Sequence, residues 1–163
     1  MRGACGVGRG AGKIRAGGFS TSDDTWLPVN ENYPFLNVEL QREDPESHLN
    51  VYKILVALRS TNAHLYGELD FPNAVNTEDI FVFTRMYPVE GEDAYIIVVN
   101  FGEDRQVLNL NSIQNLGGSG VVLARSGHET EPGTEHGSTV DFNAVPIGSK
   151  VGLVISSPFL VET

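Results

Sequence analysis

Two near-continuous hydrophobic runs joined by a polar turn lie between Asp79 and Gly102. Ile-Phe-Val-Phe-Thr-Arg-Met-Tyr is followed by a turn through Pro88, Glu90, Gly91, Glu92 and Asp93, and then by Ala-Tyr-Ile-Ile-Val-Val-Asn-Phe. β-Branched and aromatic residues suit a pleated surface, and the acidic Pro/Gly linker suits a hairpin loop. Phe81, Phe83 and Tyr87 share one face of the first strand, with Ile80, Val82 and Met86 on the other. Tyr95, Ile97, Val99 and Phe101 oppose Ile96 and Val98 on the second. Strands apolar on both faces need cover on both. One cover is expected from a facing sheet, and the other must come from elsewhere.

The same period continues to the end of the chain. Strands are expected at 64–70, 80–86, 94–101, 105–110, 120–125, 139–142 and 150–155, separated by Pro, Gly and Asn turns. Short strands at near-regular spacing predict a mainly β domain, an antiparallel Greek-key sandwich, over 62–163. Before it, Asp44-Pro45-Glu46 reads as a helix start with an acceptor at the cap and Pro in the first turn. The helix expected over 45–60 buries Val51, Ile54, Leu55 and Leu58, while Leu49, Tyr52 and Val56 form a second apolar face. Between Phe19 and Glu43, prolines and asparagines predict an extended connector without a helix before Asp44. Its Trp26, Leu27, Val29, Tyr33 and Phe35 are expected to pack against another surface, with carbohydrate stacking by Trp26 or Tyr33 as the alternative.

Residues 1–18 are rich in glycine and carry Arg2, Arg9, Lys13 and Arg15 with no acid. A phosphate loop is disfavoured there. No strand precedes the glycines, Val7 stands where a Walker loop needs glycine, and Ile14 stands where it needs Ser or Thr. A disordered start, or a mistaken or truncated gene model, fits that composition better.

The formal charge of −10 concentrates beyond residue 16 and disfavours nucleic-acid binding by the body of the chain. Cys5, the single cysteine, excludes an intrachain disulfide and a cysteine-built zinc site. No apolar run is long enough to span a membrane. The stretch from His128 to His136 can be drawn as a metal site, but its turn residues favour a solvated acidic loop. No nucleophile and base stand in a recognisable local context, so no catalytic, cofactor-binding or metal-ligating residue is assigned.

The order of these pieces resembles the C-terminal portion of α-glucosidases of the α-amylase superfamily (glycoside hydrolase family 13), most closely the insect maltases. The resemblance rests on Gly18-Phe19-Ser20-Thr21, Thr25-Trp26-Leu27-Pro28-Val29-Asn30, Asn32-Tyr33, Leu55-Val56-Ala57-Leu58-Arg59, Tyr66-Gly67-Glu68-Leu69, Phe81-Val82-Phe83-Thr84-Arg85 and Val98-Val99-Asn100-Phe101. It implies that residues 19–61 are the connector and last helix of a truncated α/β barrel, and that the β domain packs on that barrel. The barrel would be the partner that supplies the second cover.

The resemblance further implies hydrolysis of terminal α-1,4-linked glucose by the full-length parent, with maltose-type oligosaccharides as its substrates and no cofactor. The Arg-x-Pro-Met/Phe-Gln-Trp-Asp stretch that precedes Gly-Phe-Ser in the family is absent from residues 1–17. The family's catalytic carboxylates map to no position here. This chain is therefore expected to be a fragment with a structural role, secreted or extracellular and membrane-associated if the maltase resemblance holds. The alternative implied is a non-catalytic, glucosidase-like interaction module of the amino-acid-transporter heavy-chain kind.

Overall fold

The structure, a computed structural model, describes residues 26–126 and 131–161. The expected disordered start at 1–18 and His128 to Thr130 lie outside them. The chain divides into two compact units, Met1–Asp44 and Pro45–Thr163.

In the first unit a helix, α1, forms at Val38–Glu43, where an extended connector was expected. Asn37 is not a breaker but the N-cap: its side chain accepts from Leu40 N at 3.0 Å and donates to Tyr33 O at 3.0 Å. Trp26 is 97% exposed and Phe35 83%, so these two aromatics are not packed, contrary to the expectation for the connector.

The second unit opens with α2, His48–Leu58, which is shorter at its N-terminus than the expected 45–60. Asp44 is occupied as the C-cap of α1, its N–H donating to Leu40 O, so it does not start α2. Ser47 does so instead, its hydroxyl accepting from Asn50 N at 3.3 Å. A further turn, α3 at Asn62–Leu65, replaces the first half of the strand expected over 64–70. Only Glu68–Asp70 remains as β1. Gly67 joins the two where the backbone is crowded: a Cβ there would lie 2.3 Å from Ala63 O and 2.5 Å from Met86 O.

The remaining strands are β2 (Ile80–Met86), β3 (Asp93–Asn100), β4 (Gln106–Leu108), β5 (Ser119–Ser126), β6 (Thr139–Asp141), β7 (Val145–Ile147) and β8 (Gly152–Pro158). They build a six-stranded sheet, ordered β1-β2-β3-β8-β5-β6, and a two-stranded sheet of β4 and β7. Every pair is antiparallel, which makes the unit mainly β. β7 occupies a stretch expected to be a turn. Pro146 can pair with Val107 there because the strand lies at an edge, where the missing N–H costs no ladder bond.

The core lies between the two sheets. Ile80 and Val82 of β2, Ile96 and Val98 of β3, Val122 of β5, and Leu153 and Ile155 of β8 meet Leu108, Val145, Ile147 and the intervening Leu110, Ile113 and Phe142. Gly120 admits Phe142 and Ile155 at close range, since a Cβ there would stand 2.6 Å from Ile155 Cγ2 and 2.8 Å from Phe142 Cζ.

The opposite face of the six-stranded sheet is only partly covered, by α2 over β5 and by α3 over β2 and β3. Phe81 and Phe101 remain exposed on this half of the hairpin. The two-faced pattern thus has one face buried, with Met86 only partly so, and the other partly open.

Candidate functional site

Among the described residues, a larger and a smaller concavity flank the six-stranded sheet. The larger, about 710 Å³, opens beneath α2 and α3 on the outer face. Val51, Leu55 and Leu58 of α2, Leu65, Leu69, Phe83, Ile97 and Val154 give it mostly apolar walls, and Arg59, Arg85 and Arg125 add charge. A register shift between Val122 and Ala124 helps to shape it: Val122 pairs with Ile155 of the core, and Ala124 then pairs with Val154, which lines this cavity. A bulge of this kind re-aims side chains within a strand, and strict alternation could not have revealed it. Leu123, the extra residue, directs its carbonyl to His136 Nδ1 at 2.6 Å.

Arg85 donates to His64 O at 2.6 Å, tying α3 to β2. The His64 ring lies tilted against that of Tyr95, with centroids 5.2 Å apart, and its Nδ1 meets Thr61 Oγ1 at 2.9 Å. Burial, reinforced by the Arg85 charge, lowers the His64 pKa from its ordinary 6.5. Burial, with the nearby Asp93 carboxylate, raises that of Tyr95. Phe71, Phe81 and Phe83 form an aromatic cluster with ring centroids 5.8–6.3 Å apart. Phe71 and Phe81 are partly exposed. The sequence already placed Phe81 and Phe83 on one face, but Phe71 joins them only through the β1–β2 pairing.

The smaller concavity, about 430 Å³, lies at the β1 edge. Glu68 and Asp70, Asn73, Thr84, Ser112, Gln114 and Asn115 give it polar walls, with Met86 and Ile113 beneath. Its two carboxylates are side by side on one strand.

Of the stretch from His128 to His136, the described part is held by local bonds. Glu131 pairs with Arg105 Nε at 2.6 Å, and the Glu135 carboxylate accepts from Gly133 N at 2.9 Å and Ser138 Oγ at 3.1 Å. A bond from its own backbone N–H, followed by those from Ser138 Oγ and Gly133 N, lowers the Glu135 pKa. Among the described residues no group of three or more His, Cys, Asp or Glu gathers as a metal cluster.

Residues 12–67 match the family model "Alpha amylase, catalytic domain". Maltase A1 of Drosophila melanogaster is 35% identical over 109 residues, covering 67% of this chain and 18% of that protein. An amino acid transporter heavy chain of Homo sapiens is 32% identical over 138 residues, covering 84% of this chain and 19% of that protein. The chain spans about a fifth of the length of the curated relatives it matches.

Among solved structures, the trehalulose synthase MutB of Pseudomonas mesoacidophila MX-45 superposes with a TM-score of 0.57 at 23% identity, over 87% of this chain and 23% of that one. This likeness concerns the fold alone. The maltase signatures, the catalytic-domain match and the shared fold make the chain an α-glucosidase-like member of the α-amylase family.

Proposed function

We propose that this chain is the C-terminal portion of a maltase-type α-glucosidase and serves as the domain that covers and stabilises the catalytic barrel. In this reading residues 19–61 are the barrel's final connector and helix, and 62–163 are a Greek-key β-sandwich. Hydrolysis of terminal α-1,4-linked glucose is the work of the complete parent. The observation that carries the proposal is the half-covered outer face of the central sheet. Phe81, Phe101, Tyr52, Val56 and Leu69 are all at least 39% exposed there and on the helix above it. Burying a side chain of this size is worth about 1.5–3 kcal/mol, so the face gains substantially from a protein partner. The catalytic-domain match over residues 12–67 supports a barrel as that partner.

A second reading, a non-catalytic interaction module, is favoured by the longer match to the transporter heavy chain, 84% of the chain against 67% for the maltase. The test mixes the purified chain with the barrel portion of an insect maltase. The expected result is no hydrolysis of maltose by the chain alone, and stabilisation of the barrel's own activity on mixing. Saturable hydrolysis by the chain alone, surviving re-purification, would overturn the structural role. Failure to bind the barrel, with capture of a transporter subunit instead, would favour the second reading.

A further inference from the structure

The polar cavity at the β1 edge is built from core-facing positions that are not apolar. Thr84 follows Ile80 and Val82 on the buried face of β2 and is itself fully buried. Asp70 lies directly opposite Thr84 in the antiparallel ladder, and Glu68 lies opposite Met86. Paired residues share a face, with Cβ atoms about 4.5–5.5 Å apart. Both residues therefore share a face with Thr84 and line the cavity, where they remain exposed at its open rim while Thr84 is buried beneath.

Across the cavity, Asn115 is held in a left-handed conformation at φ 62°, and its carbonyl accepts from Leu160 N at 2.9 Å. That turn presents the Asn115 side chain to the same space. Two buried oxygens here, Thr84 Oγ1 and Asn115 Oδ1, make no hydrogen bond within the protein. A buried polar atom left unpaired has lost its water without gaining a protein partner, so each calls for one. Acids on an edge strand also discourage its unwanted pairing, but that role asks nothing of Thr84 or Asn115.

We infer that Glu68, Asp70, Thr84 and Asn115 form a calcium site at the edge of the six-stranded sheet. The described lining offers oxygen donors of carboxylate, hydroxyl and amide type, and contains no Lys, Arg or His to compete for the acids. Hard cations take such donors, and calcium accepts the irregular arrangement and the added waters that magnesium tolerates poorly. Two carboxylates at a partly open site correspond to the weak range of extracellular modules, about 10⁻⁴–10⁻³ M. Bound there, the ion would join β1, β2 and the loop before β5.

The test is calorimetric titration of the full chain with calcium chloride up to about 10 mM, ten times the weakest constant expected. Melting curves with and without the ion accompany it. One site is expected, with a calcium-dependent rise in melting temperature and a much smaller response to magnesium. Asp70→Asn should weaken binding at least tenfold. Thr84→Val, which keeps the shape and removes the hydroxyl, should weaken it severalfold while leaving the ion-free protein at least as stable. Absence of calcium heat in the wild-type chain would overturn the inference and leave the two oxygens to solvent. So would binding of unchanged affinity in both variants, which would place the ion elsewhere on this acidic surface.

Discussion

Arg125 of β5 pairs with Glu46, seventy-nine residues earlier, and the guanidinium side chain is 1% exposed while the carboxylate side chain is 32% exposed. The bond anchors the residue just before Ser47, the N-cap of α2, to the six-stranded sheet. The two partners differ in what each leaves behind. Glu46→Ala strands a buried charge, left with a long hydrogen bond to Thr134 Oγ1 at 3.4 Å, whereas Arg125→Met removes the charge and keeps apolar volume. Glu46→Ala should cost about 2–4 kcal/mol, and Arg125→Met should be near neutral. Urea denaturation of both variants checks the order, and equal losses would mean that the pair itself, not the stranded charge, matters.

The lowered pKa of His64 makes stability depend on pH. Above its ordinary value of 6.5 the ring is neutral in both folded and unfolded chains, so its contribution is fully present. As pH falls below that value the unfolded chain takes up the proton first, and the contribution is lost down to the lower folded value. Asp141, held low by Asn143 N and the Asn143 side chain, acts only in the more acidic carboxylate range. Between roughly pH 7.5 and pH 5.5 the melting temperature of the wild-type chain should therefore fall more steeply than that of His64→Gln. Parallel curves would remove His64 from the account.

Asn100, 1% exposed, donates to Asp104 O and Gly148 O at 2.8 Å each and accepts from Gly102 N at 2.9 Å. This explains why an amide stands in the Val-Val-Asn-Phe signature: it closes the turn after β3 and holds it against the segment before β8. Asn100→Leu leaves three backbone groups unpaired and should cost about 2–4 kcal/mol, measured by chemical denaturation.

Neighbouring glycines at the start of β5 should respond in opposite ways. Gly120→Ala drives a methyl into Ser156 O and the Phe142 ring and should cost about 1–3 kcal/mol. Gly118 has no atom within 4 Å of a would-be Cβ, so Gly118→Ala should change stability little. Thermal melts of the pair check the crowding directly.

The amino-acid sequence by itself determined the β2–β3 hairpin, because two long runs of β-branched and aromatic residues flank an acidic Pro/Gly turn. It also pointed to the mainly β class and to the α-glucosidase likeness, through motifs that are local in the chain. Capping was less legible. Asn37 and Ser47 each serve as an N-cap, but the sequence offered Asp44-Pro45 as a stronger local signal, and only the preceding helix shows Asp44 to be already occupied.

The tertiary structure alone decided that β8 lies between β3 and β5, since that pairing joins residues far apart in the chain. It likewise placed Thr84 opposite Asp70 and brought Asn115 to the same cavity. Periodicity reports which face a residue takes within its own element. Which residues share a cavity depends on strand order, register and one bulge, and these are set by non-local packing.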